Sequence, residues 1–310
     1  YSGYSVSLSD DGSIVAIGAL YGGSNKGGYT RIYAWNGNTW VQRGSDIDGR
    51  IAGDLSGNSV SISSDGTIVA IGALTNNRSN GIVDTGYTFI YQWDSGTSSW
   101  NQLGSDIPGE ALGDYSGVSV SLSSDGSIVA IGAKSNDGNG EDSGHTRLYQ
   151  WDGSTWTQLG NDIGGEAVRD YSGNSVSLAG DGSIVAIGAT GNDGNGENSG
   201  HVRIYTWDGN AWVQRGNDID GEASGDISGY SVSLSSDGTT VAIGARANDG
   251  NGENSGHVRV FQWNGTAWVQ RGNDIDGEAV NDYSGYSVSL SSDGTTVAIG
   301  AKGNDGNSEN

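Results

Sequence analysis

The sequence predicts an all-β protein, a β-propeller of four-stranded antiparallel blades. Three observations lead there. A unit of about 56 residues recurs along the whole chain, glycine-bearing turns separate short β-type runs, and no stretch shows helical amphipathic periodicity. The segment YSGYSVSLS opens at Tyr1 and returns in variant form at Leu55, Tyr115, Tyr171, Ile227 and Tyr283. The last three intervals are each 56 residues and the first two are 54 and 60. These bounds give repeats 1–54, 55–114, 115–170, 171–226 and 227–282, then a partial repeat 283–310, all within one domain 1–310. A unit this short cannot bury its own apolar face, so successive copies have to cover one another.

Strand a of each copy is the Ser5-Val6-Ser7-Leu8-Ser9 type, apolar and small polar residues alternating at period two. An Asp-Gly turn follows, at Asp65-Gly66, Asp125-Gly126, Asp181-Gly182, Asp237-Gly238 and Asp293-Gly294. Asp-Gly is a hairpin signal, because Gly accepts positive φ and Asp hydrogen-bonds its own backbone. Strand b, as in Thr239-Thr240-Val241-Ala242-Ile243-Gly244-Ala245, is apolar or small on both faces, as expected of a strand covered on both sides. Its glycine (Gly18, Gly72, Gly132, Gly188, Gly244, Gly300) implies a close backbone approach near a crowded axis. A polar b–c loop leads to strand c, as in His201-Val202-Arg203-Ile204-Tyr205-Thr206-Trp207. Strand d begins at the second tryptophan, as in Trp212-Val213-Gln214-Arg215. A d–a loop of the GNDIDGEAxxD type returns the chain to the next strand a. Four short antiparallel strands per unit match a propeller blade. The competing architecture, a parallel β-helix, has shorter coils and lacks the hairpins.

Copy six stops at Asn310 after strands a and b, so 22 strands are expected: five full blades and a half repeat. An open sheet edge recruits strands. The expectation is a ring of six or seven blades completed by further residues, or a homo-oligomer or filament in which a neighbouring subunit supplies the missing strands. Copy one begins at Tyr1 with neither methionine nor signal segment, which reads as a trimmed or processed piece of a longer chain.

Composition narrows the function classes. With 37 Asp and Glu against 14 Lys and Arg, the net charge is -23. Such a surface repels phosphate backbones, so no nucleic-acid partner is expected. No apolar run approaches the roughly 18 to 20 residues that cross a membrane. The absence of cysteine removes disulfides and thiolate metal chemistry.

The stretch SGYSVSLSSDGTTVAIGA resembles the FG-GAP repeat, the unit of the integrin alpha-chain head propeller. Ser-Gly, as in Ser172-Gly173, stands at the Phe-Gly place, with the aromatic Tyr171 one position earlier. Gly-Ala is kept in every copy from Gly18-Ala19 to Gly300-Ala301, and the family's proline is replaced by Leu20, Leu74, Lys134, Thr190, Arg246 and Lys302. The resemblance implies a non-enzymatic propeller at the cell surface or outside the cell, serving adhesion, protein interaction or extracellular structure. The family's calcium loop in the a–b hairpin does not carry over, since that hairpin holds a single Asp and calcium takes six to eight oxygens.

Candidate oxygen ligands lie instead in the b–c loop. They are Asp137, Asn139 and Glu141 (with Asp142) in copy three, Asp193, Asn195 and Glu197 in copy four, and Asp249, Asn251 and Glu253 in copy five. Asp-x-Asn-x-Glu alternation in a glycine-rich loop is part of a calcium cradle, and is equally the composition of a solvated turn. Copies one and two lack it, with Tyr21-Gly22-Gly23-Ser24 and Asn76-Asn77-Arg78-Ser79. In the d–a loop, Asp218, Asp220, Glu222 and Asp226, with Asp274, Asp276, Glu278 and Asp282, read as a final capping Asp preceded by solvated carboxylates; Asp220 becomes Pro108 or Gly164 elsewhere.

His145, His201 and His257 occupy one blade position at 56-residue spacing, so they do not converge on a shared site, and Tyr29 and Tyr87 replace them in the first copies. They read as packing residues at a strand start. The ten tryptophans, at 35/40, 93/100, 151/156, 207/212 and 263/268, suit packing between blades or a glycan platform on each blade. Arg31, Arg147, Arg203 and Arg259 are expected to stack on these aromatics or pair with loop carboxylates. Serines repeat identically, whereas an active site needs converging groups that break the repeat, so no enzyme is expected. The sequons Asn77-Arg78-Ser79 and Asn264-Gly265-Thr266 matter only in a eukaryotic secretory pathway. The alternative function is a calcium-assisted glycan-binding propeller whose partner is a cell-surface glycan rather than a protein.

Overall fold

The computed structural model describes residues 2–75 and 85–306. The first sequon and residues 76–84 of the copy-two b–c loop therefore lie outside the described residues. Among these residues there is no helix, and strands form five repeated antiparallel sheets and a two-stranded sixth, an all-β propeller-like fold.

Blade four shows the pattern. Strands Ser172–Leu178, Ile184–Ala189, His201–Trp207 and Trp212–Gln214 lie side by side in that order, each antiparallel to the next. A further short strand, Ile219–Asp220, pairs with the other end of His201–Trp207, placing His201 opposite Asp220 and Val202 opposite Ile219. Strand d is thus broken in two. Its first piece covers Tyr205, Thr206 and Trp207, its second covers His201 and Val202, and the residues between them loop out. The same break in all five full repeats is why there are 27 described strands rather than 22.

The a–b hairpin is held as its residue types dictate. In copy five, Asp237 Oδ1 accepts hydrogen bonds from Ser235 Oγ (2.6 Å) and the Thr239 N–H (2.9 Å). Gly238 supplies the positive φ of 64°. Strand b is the most deeply buried element: all six residues of Ile68–Ala73, Ile184–Ala189 and Thr240–Ala245 are buried.

Two compact units make up the fold: Tyr1–Asn136 with Thr146–Asp162, and Asp137–His145 with Ile163–Asn310. In the first, one core joins Ile14, Ile32 and Ile47 of blade one to Val60, Ile71 and Phe89 of blade two. A second joins Ile68 and Ile90 of blade two to Val120, Leu122 and Ile131 of blade three. In the second unit, Ile184, Val202, Ile204 and Ile219 of blade four pack against Val232, Leu234, Ile243 and Phe261 of blade five. The core therefore lies between blades, as the repeat length requires.

Close approach near the inner strands comes from glycine. A Cβ on Gly188 would lie 2.1 Å from the Gly229 carbonyl oxygen of the next blade, and one on Gly244 would lie 2.2 Å from that of Gly285. The seryl hydroxyls beside them exploit this proximity: Ser175 Oγ donates to the Gly229 carbonyl at 2.7 Å and Ser231 Oγ to that of Gly285 at 2.8 Å.

Candidate functional site

The final Asp of each d–a loop is buried and caps the loop. Asp226 Oδ2 accepts from the N–H groups of Glu222 (3.1 Å) and Ala223 (2.9 Å), and Asp282 Oδ2 does the same for Glu278 and Ala279. The b–c loop docks on the d–a loop that follows it. Asn195 Nδ2 donates to the carbonyls of Gly221 and Glu222, both at 2.9 Å, and Asn251 Nδ2 to those of Gly277 (2.8 Å) and Glu278 (3.2 Å). Asn139 Nδ2 reaches the Gly165 carbonyl at 2.7 Å.

The aspartates of this loop close it on itself: Asp137, Asp193 and Asp249 each accept the backbone N–H five residues on, from Asp142, Asn198 and Asn254. Glu141 pairs with Arg169 at 3.2 Å. Glu197 and Glu253 use their backbone carbonyls, accepting the N–H groups of Gly225 and Asn281. The expected triplets thus lie together on one loop per blade, with the Asn amide nitrogen turned toward carbonyl oxygens.

The tryptophans join neighbouring blades. Each pair sits directly across strands c and d, with ring centroids 5.4 Å apart for Trp207/Trp212 and for Trp263/Trp268. The second Trp donates its indole N–H to the preceding blade: Trp268 to the Arg215 carbonyl (2.8 Å), Trp100 to that of Arg43 (2.8 Å) and Trp156 to that of Leu103 (2.9 Å). Arg215 lies over both Trp263 and Trp268, and Arg43 over Trp93 and Trp100. The cations stacked on tryptophan thus come from strand d of the preceding blade. The strand-c arginines lie instead over strand-c aromatics, Arg203 over Tyr205 and Arg259 over Phe261. They also meet carboxylates of the preceding d–a loop, Arg203 with Glu166 (3.3 Å) and Arg259 with Glu222 (3.6 Å).

Two features of the second unit were not expected from sequence. The first is a cavity of about 360 Å³ between blades four and five, lined by Asp218, Asp220, Arg259, Phe261 and Trp268 among others. Burial, with the Asp218 charge beside it, raises the pKa of the Asp220 carboxyl. The second is a grouping around each buried histidine. Glu166, His201 and Asp218 bring ligand atoms within 4.8 Å of one another, as do Glu222, His257 and Asp274. His201 and His257 are each 1% exposed. Their Nδ1 atoms lie 3.7 Å from Asp218 Oδ2 and 3.8 Å from Glu222 Oε2. Burial, then the Arg203 charge, pushes the His201 imidazole down to about 4, and burial with Arg259 lowers His257, so both rings are neutral at pH 7. The break in strand d carries Asp218 to His201, and the preceding blade supplies Glu166. A search for histidines that meet one another could not find this arrangement. The available signal was that His201 and its carboxylates keep their spacing in copy five.

The FG-GAP repeat family matches this chain at residues 165–205 and 219–261. No curated protein matches in sequence. Among solved structures, a putative 6-phosphogluconolactonase from Bacteroides uniformis is similar, with a TM-score of 0.62 at 14% identity over 96% of this chain and 77% of that one. A periplasmic gluconolactonase of Pseudomonas aeruginosa has a TM-score of 0.56 at 13% identity, over 88% of this chain and 69% of that one. At these identities the likeness concerns the fold. Residues 165–205 and 219–261 thus match FG-GAP repeats, and the repeated four-stranded sheets together with this likeness give the chain an all-β, propeller-like fold.

Proposed function

We propose that the chain is a non-enzymatic repeat protein of the extracellular space or cell surface, serving adhesion, protein interaction or surface structure. One observation supports this most: its ionisable groups follow the repeat. Arg203 with Glu166 recurs as Arg259 with Glu222, and the turn and capping aspartates recur blade after blade. Catalysis calls for a converging set that departs from such a pattern. Apolar surface open to a protein partner exists on strand Ser2–Leu8, where Tyr4, Val6 and Leu8 are more than half exposed.

The lactonases of similar fold supply the decisive assay. Purified chain incubated with gluconolactone and 6-phosphogluconolactone is expected to leave hydrolysis at the buffer rate. A saturable increase would replace this reading with an enzymatic one.

Calcium-assisted glycan binding is the second reading, favoured by the cavity at Trp268, Phe261, Asp218, Asp220 and Arg259, which combines aromatic faces with polar groups. The loop triplets Asp193, Asn195, Glu197 and Asp249, Asn251, Glu253 would contribute the cation. A glycan array separates the readings: binding lost on Trp268→Ala supports the lectin, and uniform silence supports the scaffold.

A further inference from the structure

We propose that the Glu166–His201–Asp218 cluster, and its repeat Glu222–His257–Asp274, bind a divalent transition-metal ion of the zinc type. The argument starts from an unmet requirement. His201 is 99% buried by its exposure of 1%, yet neither Nδ1 nor Nε2 has a hydrogen-bond partner. His257 Nε2 is in the same state. An unpaired buried polar atom costs on the order of 1–3 kcal/mol, so such an atom is normally satisfied by something. Blade two shows how the position is satisfied otherwise: Tyr87 stands there, and its hydroxyl donates to the Asp54 carboxylate. The shorter imidazole does not make that bond. Instead its Nδ1 turns to Asp218.

The donor set is suited to a cation. Glu166 and Asp218 bring two carboxylates against one guanidinium, that of Arg203, which occupies Glu166 Oε1 at 3.3 Å and leaves Oε2 for a ligand. Nδ1 of His201 faces Asp218 Oδ2 and makes no hydrogen bond, which leaves that nitrogen to face a ligand. Zinc holds nitrogen and oxygen donors at about 2.0–2.2 Å in tetrahedral geometry, so two ligands of one ion lie about 3.3–3.6 Å apart. The Nδ1–Oδ2 separation of 3.7 Å is already close to this, and the outer bound of 4.8 Å for the cluster needs a shift of somewhat over about 1 Å. Glu166 and Glu222 can make that shift, since their side chains are 46% and 43% exposed. A buried imidazole with only two carboxylates favours zinc, nickel or cobalt over calcium, which takes six to eight oxygens. Three protein ligands leave a coordination position to water.

The test is equilibrium dialysis of the chelator-treated chain against Zn²⁺ at neutral pH with Ca²⁺ in large excess. The wild-type chain is expected to retain zinc that calcium does not displace. Asp218→Asn, which preserves shape where removal of the buried histidine would endanger the fold, is expected to retain one equivalent fewer. Asp274→Asn behaves likewise, and circular dichroism is unchanged for both. Co²⁺ substitution gives visible absorption in the wild-type chain that weakens in the variants. Retention of no zinc, displacement of zinc by calcium, or equal retention by wild type and both folded variants would overturn the proposal.

Discussion

Replacing Gly188 by alanine tests the close packing between blades. The added Cβ would stand 2.1 Å from the Gly229 carbonyl oxygen and 2.4 Å from Ser175 Oγ. Ordinary carbon–oxygen contact needs about 1 Å more, and the nearest atom is backbone of the next blade, which cannot rotate away as a side chain would. Overpacking of this kind costs about 1–3 kcal/mol. Separation of the strands also stretches the 2.7 Å bond from Ser175 Oγ to that carbonyl, and stranding a buried acceptor adds about 1–3 kcal/mol. Alanine restricts the unfolded chain and returns about 0.4–1 kcal/mol. The net expectation is a loss of about 3 kcal/mol. Urea denaturation followed by tryptophan fluorescence measures it, as a lower midpoint at unchanged slope. Gly96→Ala is the control, because its nearest neighbour is the Asp94 side chain at 3.2 Å in an exposed turn. A loss below about 1 kcal/mol for Gly188→Ala would refute the close-approach argument.

Other consequences are equally open to measurement. Asp226→Ala removes the acceptor for two loop N–H groups and is expected to cost about 2–4 kcal/mol, read in the same denaturation assay; near-neutrality would deny the cap. Hydrogen bonds from Ser291 Oγ and the Thr295 N–H hold Asp293 at about 2, below its ordinary 3.8. Its folded form therefore binds fewer protons than the unfolded form in that window. The stabilisation is complete above about 4 and is lost as pH falls through about 2. A carboxyl NMR titration with a midpoint near 3.8 would contradict this. Ile227, a β-branched residue, sits at a φ of 57°, so Ile227→Asn is expected to stabilise by up to about 1 kcal/mol. A clear decrease in the thermal midpoint would show that its packing outweighs the strain. Calcium at the b–c loops predicts a thermal midpoint that falls with chelator and recovers with Ca²⁺, and an unchanged midpoint would remove calcium from the second reading.

Much of the fold was legible because it is local. Val and Ile alternation and Asp-Gly hairpins each act over a few residues, and the 56-residue period shows when the sequence is set against itself, so none of them needs knowledge of neighbours. The glycine of strand b likewise announced a close approach, and Gly229 is what approaches Gly188. The broken outer strand was less visible, because Trp212–Gln214 and Ile219–Asp220 pair with one strand from either end and no local signal marks the gap. The tryptophans could be assigned to core or surface only once their neighbours were in place. In blade one, Trp35 and Trp40 are 44% and 42% exposed, whereas Trp100, Trp156 and Trp268 are covered by a preceding blade to which each donates a hydrogen bond.

Sequence alone determined the repeat, the strand order within a blade and the hairpin chemistry, because backbone sterics and side-chain periodicity fix these within a few residues. Only the tertiary structure decided what each buried polar group faces. Glu166, His201 and Asp218 come from a preceding loop, a strand start and a strand break; their spacing recurs in Glu222, His257 and Asp274, but nothing local says that residues so far apart meet. They meet because stacking blades buries apolar faces, and the polar atoms carried in with those faces have to find partners there.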